Sequence, residues 1–332
     1  SIAVDQNGYI WAVDGIKGYL QSFKPTEYAN MVYGAMNLYE EGHYEKALEQ
    51  WNLVLQQNQM SVLAHNGVGK AYLHAMEYEA ALEHFKVANN KELYSQAFWE
   101  VRNKWLQTYL PTILFALIGL LVLGKVIKAL DRKYGKIKAF TDGIKGRLGR
   151  LPVLKDFAYA AKTPMHPMNN YYEIRKNRRG SVLGATIIYV VFFLLFMAYQ
   201  TSKGFVYQTL KVEDMDIGSI VIGFLLMLGL SIICNYLVTS INDGDGTFRQ
   251  IYMIPAYGMI PAMTSLFLVT VVSYGMTQTE SFLLTIIMLI GVTWSAITIF
   301  VGLQTVHDYS FGETVKSIII TIVFMAIAAI VA

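Results

Sequence analysis

Few residues of this 332-residue chain stand where they could do chemistry, and three short stretches hold most of them. The stretch NDGDG places Asp243 and Asp245 two positions apart, the opening spacing of a calcium-binding loop. Such a loop closes with a carboxylate at its twelfth position. Counted from Asp243 that position is Ile254, so the pair reads as a tight turn or helix cap and not as a metal site. His307 and Asp308 are adjacent at the end of an apolar run, where an imidazole beside a carboxylate could titrate near neutral pH. Tying a loop to a helix end is the commoner work of such a pair. The third stretch, PAYGMIP, brackets Gly258 with Pro255 and Pro261. Each proline removes a backbone donor and frees a carbonyl, so a helix there must kink or break where neighbours can satisfy it.

Signatures of stronger chemistry are missing from the sequence. It holds no Gly-Xaa-Ser-Xaa-Gly elbow with a membrane histidine, no His-Glu-Xaa-Xaa-His zinc helix and no paired aspartates inside an apolar run. The single cysteine, Cys234, lies within such a run, which leaves no disulfide framework and no cysteine-based metal site. The expectation is a protein that is not an enzyme and carries no metal or cofactor.

The elements that position these residues follow from composition. With 54% hydrophobic and only 15% charged residues, the chain lies far from a soluble average. The apolar residues are unevenly placed. Residues 1–109 carry 8 Lys/Arg against 12 Asp/Glu, whereas almost everything after Leu110 is apolar or basic. Six apolar segments, 110–129, 181–200, 217–238, 251–273, 282–303 and 315–332, are each long enough to cross about 30 Å of hydrocarbon. Lys125 and Lys128 in the last turns of the first are explained by snorkelling, and Trp105 and Tyr109 suit its opposite interface.

Segment 125–180 carries 15 of the 27 Lys/Arg against 4 acidic residues, and the later loops are balanced or slightly acidic. The positive-inside rule then puts 125–180 in the cytoplasm and the N-terminal module outside the cell. An exported N-terminal domain needs a signal sequence, and none opens the chain, so an upstream part is expected. The basic residues Lys133, Lys136, Lys138, Arg147, Arg150, Arg175, Arg178 and Arg179 are interleaved with apolar ones such as Phe140, Ile144, Leu148, Leu151, Leu154 and Phe157. That pattern beside membrane spans fits an amphipathic segment seated on anionic lipid, with membrane lipid as partner and no nucleic acid.

The water-facing module contains two repeat signals. SIAVDQNGYIWAVDGIKGYLQSF alternates in the strand manner around Asp-Xaa-Xaa-Gly turns and resembles an NHL repeat, which implies the last strands of a β-propeller over residues 1–24. Between 28 and 90, Tyr44, Ala47, Leu48 and Trp51 recur as Tyr78, Ala81, Leu82 and Phe85, every pair 34 apart. That period resembles the tetratricopeptide repeat, so 25–109 reads as two helix pairs and a capping helix. Gly42 fits the turn of the first copy, where the second has Met76. Trp51 and Phe85 belong to the core. On that family's geometry Tyr33, Met36, Tyr39, Asn66, Lys70 and His74 line the concave groove, as candidate contacts for a partner protein.

Three stretches carry a further resemblance: TPMHPMNNYYEIRKNRRGS (163–181), NDGDGTFRQIYMIPAYGMIPAM (242–263) and VGLQTVHDYSFGETVKSI (301–318). With five spans from 181 onward they look like the Yip family, the Ypt-interacting-protein type of membrane domain, over 165–332. The eukaryotic family is linked with small GTPases and vesicle traffic, but nothing in these residues supports a GTPase role.

The expected architecture is a mostly α, polytopic membrane protein with six transmembrane helices behind a helical-repeat module and a β-hairpin remnant of a propeller. Segments 110–129 and 130–164 are its first span and a basic interfacial stretch. The combination looks like Gram-positive cell-membrane proteins associated with carbohydrate ABC transporters. It implies an accessory or scaffold subunit whose partners are ABC permeases, their ATPase or a solute-binding protein. The other expectation is an independent transporter or channel that uses the broken span around Pro255, Gly258 and Pro261.

Overall fold

A computed structural model describes residues 1–6, 8–134, 152–209 and 212–331, and the chain divides into two compact units, Ser1–Phe115 and Ala116–Ala332. The first unit opens with an antiparallel meander of β1 (Ile2–Val4), β2 (Ile10–Asp14) and β3 (Tyr19–Phe23), in which Ile2 faces Ala12 and Trp11 faces Ser22. Aspartates fix its turns: Asp5 accepts the Tyr9 N–H at 2.9 Å, and Asp14 accepts those of Ile16 and Lys17.

Four helices follow as two antiparallel pairs: α1 (Glu27–Glu40), α2 (Tyr44–Gln57), α3 (Val62–His74) and α4 (Tyr78–Val87). Thr26 and Ser61 cap α1 and α3 by accepting the N–H groups of Ala29 and Ala64. The core is built from the recurring positions. Trp51 lies against Gly67 and Phe85 against Gly69, so closely that a Cβ on either glycine would overlap the ring. Ala35, Ala47, Ala64 and Ala81 are fully buried where the helices approach. Helix α5 (Lys91–Tyr134) contains Pro111, and from Leu110 to Ile127 its large apolar side chains are exposed.

Within the second unit, α6 (Pro152–Lys162) and α7 (Pro167–Asn177) form a helical hairpin, followed by α8 (Val182–Thr201), α9 (Ile217–Ile241), α10 (Phe248–Gly258), α11 (Ile260–Val272), α12 (Ser281–His307) and α13 (Phe311–Val331). Among the described residues six helical stretches, counting α5 and taking α10 with α11, are long and apolar enough to cross a membrane. Helix α12 packs on α7, α10 and α11, α8 packs on α10 and α11, and α9 pairs with α13. Their shared core is Tyr171, Ile174, Ile188, Tyr189, Met253, Ile254, Tyr257 and Val306. Polar side chains tie the elements together: the Tyr171 and Tyr189 hydroxyls in this core donate to the Ile254 and Tyr252 carbonyls, and between α9 and α13 Asn235 Nδ2 reaches Thr321 Oγ1 at 3.5 Å.

Candidate functional site

At one end of the helical bundle, the C-terminal turn of α7, the loop 242–247 and the C-terminus of α12 come together. Arg175 is the hub. Its guanidinium lies 2.7 Å from Asp245 and 2.8 Å from Asp308, and it donates to the Thr305 carbonyl at 3.3 Å. Its side chain is only 15% exposed. Expected on the membrane surface, Arg175 is instead drawn against the bundle, because its planar fork fits two carboxylates at once. The same pairing holds the Asp308 carboxyl below its usual range.

Special backbone shapes both the loop that carries Asp245 and the end of α12. Asp243 and Asp308 adopt left-handed conformations (φ 51° and 58°), the latter capping α12 with its N–H on the Gln304 carbonyl. His307 is 2% exposed and its Nδ1 accepts the Gly246 N–H at 3.2 Å. A backbone amide can only donate, so this geometry holds the imidazole neutral with its proton on Nε2. Gly244 and Gly246 are needed there: a Cβ on either would press on the His307 ring. The Tyr309 hydroxyl closes the loop by donating to the Asn242 carbonyl at 3.1 Å. Gln250 completes the join, closing a capping box with Thr247 and donating to the Ile174 and Arg175 carbonyls at 3.3 Å. The NDGDG carboxylate of Asp245 thus serves an arginine, and His307 serves a backbone amide.

The expected break in the fourth span is a single residue, Met259, between α10 and α11. The Met259 N–H still bonds the Pro255 carbonyl at 2.9 Å, and the Ala262 N–H, one residue past Pro261, is taken by Ser295 Oγ at 2.9 Å. Gly258 lets Ile299 of α12 pack against the break, and a Cβ there would overlap it.

The family model for the Yip1 domain matches residues 162–332, just over half of the chain. The chain belongs to the Yip1 family. No curated protein and no solved structure matches it.

The Yip1 domain opens at Lys162, at the end of α6, three residues before the boundary expected from the sequence. The bundle-end cluster lies wholly inside it. All three stretches that carried the resemblance meet there, which their separation in sequence concealed: Arg175 and Asp245 are 70 residues apart.

The other sequence-predicted residues are distributed differently. In the helical-repeat unit, Tyr39 packs edge-on to Tyr44 (5.1 Å between ring centroids) and to His74 (5.7 Å), and His74 stacks on Tyr44 at 4.1 Å. Lys70 Nζ lies 5.8 Å from the Tyr39 ring. Tyr33 and Met36 are 45% and 38% exposed on α1. Asn66 stands apart, its Oδ1 accepting from Asn90 Nδ2 at 2.9 Å. Tyr44 was not anticipated, although its position one turn from Leu48 on α2 was visible in the repeat. Of the basic residues, Arg178 is exposed and Arg179 pairs with Glu173 at 2.7 Å. Lys136, Lys138, Arg147 and Arg150 lie outside the described residues, as does the side chain of Lys133.

Proposed function

We propose that this Yip1-family membrane protein is a non-enzymatic accessory or scaffold subunit. Its N-terminal helical-repeat unit recognises a partner protein, and its Yip1 domain docks other membrane subunits, those of a carbohydrate ABC importer above all. The polypeptide sits in the cell membrane with residues 125–180 on its cytoplasmic side and the N-terminal unit outside.

The observation that carries this reading is the group of exposed Tyr33, Met36, Lys70 and His74 with half-buried Tyr39 on a repeat scaffold whose core is already filled by Trp51 and Phe85. Aromatic and cationic side chains grouped on a rigid helical surface are the composition of a protein-binding hot spot. The chemistry-bearing groups of the membrane domain are, by contrast, engaged with one another: Arg175 with two aspartates, His307 with Gly246. The turn pattern of β1 to β3 supports a propeller-type neighbour for the same extracellular surface.

Independent transport through the fourth span has less support, since the break at Met259 is filled by Ile299 and Tyr171 donates to the Ile254 carbonyl beside it.

The test is a binding measurement with whatever protein copurifies with the full chain. Replacing Tyr39 and Lys70 with Ala should weaken that complex by about tenfold or more while leaving α2 and α4 folded. Unchanged affinity would remove the groove from the proposal.

A further inference from the structure

The α6–α7 hairpin is anchored at the Arg175 end of the bundle by both arms, through Arg175 to Asp308 and through the hydrogen bond of Ser181, which caps α8, to Asp156. From these anchors its arms run alongside the spans. Helix α7 packs on α12, with Tyr171 against Gly302, and the tip residue Pro164 accepts the Trp294 Nε1–H at 3.1 Å. At about 1.5 Å per residue the 11 residues of α7 are about 16 Å long. That is about half of a hydrocarbon core of about 30 Å.

Irregular backbone survives at such depth only where its polar groups are met inside the protein. At this tip the backbone N–H groups are met, while the side chains of Lys162 and His166 are exposed. Thr163 N–H bonds the Ala160 carbonyl, and those of Met165 and His166 bond the Lys162 carbonyl. The Tyr159 hydroxyl donates to the Asn170 carbonyl at 2.6 Å, and Asn170 Nδ2 donates to Thr163 Oγ1. Pro164 and Pro167 have no N–H to satisfy.

Beside the tip lies an apolar cavity of about 420 Å³, walled by Ala161, Pro164, Met165, Pro261, Leu268 and Trp294 among others. From it the exposed side chains of Met165, Met168 and Tyr172 form an apolar strip along the hairpin, spaced by three and four residues. One turn beyond Tyr172 the same face ends on exposed Lys176, with exposed Arg178 following. Asn169, Glu173 and Lys176 share the neighbouring face, giving the helix a polar lane beside its apolar one.

We propose that the α6–α7 hairpin enters the membrane and that the cavity at its tip takes one acyl chain of an anionic phospholipid whose headgroup sits at Lys176 and Arg178. Position and charge select this occupant. At the depth of the spans acyl chains are the apolar groups at hand, and the exposed groups at the hairpin's base are cations that favour a phosphate. The length of α7 between cation and cavity, about 16 Å, is about the thickness of one leaflet's acyl layer.

The full chain in mild detergent, stripped of lipid, is titrated with phosphatidylglycerol or phosphatidylcholine of identical chains, and bound lipid is counted by native mass spectrometry. One phosphatidylglycerol per chain should be retained, with about tenfold preference over phosphatidylcholine. Ala161→Phe fills the cavity from an exposed position and should lower retention of both lipids by about tenfold, whereas Lys176→Glu should remove only the preference. A second measurement does not depend on these variants folding. Phosphatidylglycerol brominated at mid-chain should quench a tryptophan signal that is missing from Trp294→Phe. Equal retention by wild type and Ala161→Phe, or quenching independent of Trp294, overturns the cavity assignment; equal retention of the two lipids overturns the headgroup assignment.

Discussion

Gly42 and Met76 occupy the same backbone position in successive repeats, one with φ 81° and the other with φ 62°. The bonds around them match as well: Gly42 N–H to Tyr39 O and His43 N–H to Leu38 O in the first turn, Met76 N–H to Leu73 O and Glu77 N–H to Tyr72 O in the second. Each is a helix C-terminus closed by a left-handed residue, which glycine adopts freely and methionine does only with strain. Met76→Gly should therefore stabilise the repeat by about 1 kcal/mol, and Gly42→Ala should destabilise it by about 1 kcal/mol. Hydrogen exchange of α1 to α4 in the full chain checks both signs.

The repeat should also loosen in mild acid. His65 Nε2 donates to the Gln59 carbonyl at 2.9 Å, so the Nδ1 of neutral His65 accepts from His84 Nδ1–H at 2.9 Å. Burial first, and then His65, push the His84 pKa below its ordinary 6.5. A folded value below the unfolded one means that this stability is complete above about pH 6.5 and is lost as pH falls through that value towards the folded one. Amide protection in α3 and α4, taken relative to the intrinsic exchange rate at each pH, should be lower at pH 5.5 than at pH 7.5, and His84→Gln should flatten the difference.

The Arg175 hub depends on geometry more than on charge. Lysine keeps the charge but cannot bridge Asp245 and Asp308 with one planar fork, so Arg175→Lys should release one of them. Faster exchange or proteolysis at residues 242–247, with the spans unaffected, is the expected outcome. Because Arg175 holds the Asp308 carboxyl low, their tie should persist at pH 5 and fail only as pH drops below the ordinary carboxylate value.

Packing at the broken span makes a further prediction. A Cβ at Gly258 overlaps Ile299, so Gly258→Ala should cost about 1–3 kcal/mol by forcing α10 and α12 apart. The companion change Ile299→Ala should restore part of the loss, read by thermal inactivation in detergent.

Sequence periodicity located the elements but not their meetings. The 34-residue spacing exposed Trp51, Phe85 and the buried alanines because each repeat contacts only its neighbours, and 18- to 23-residue apolar runs exposed the spans because the bilayer fixes their length. The role of Arg175 was hidden, since its carboxylate partners arrive from loops far along the chain and a basic residue beside a span looks like a lipid contact. The hairpin was hidden for a related reason: Tyr159, Thr163 and Asn170 look like solvent-facing groups in sequence and become mutual partners only when α6 and α7 fold together. Met76 concealed a turn that Gly42 advertised, because the left-handed conformation is imposed by the flanking helices and not by the residue.

The accessory-subunit proposal is tested most directly by purifying the full chain from its native membrane in mild detergent and identifying by mass spectrometry what stays bound. Stoichiometric recovery of permease subunits, their ATPase or a solute-binding protein is the predicted result. Recovery of the chain alone, monodisperse and able to move solute in liposomes, would contradict it.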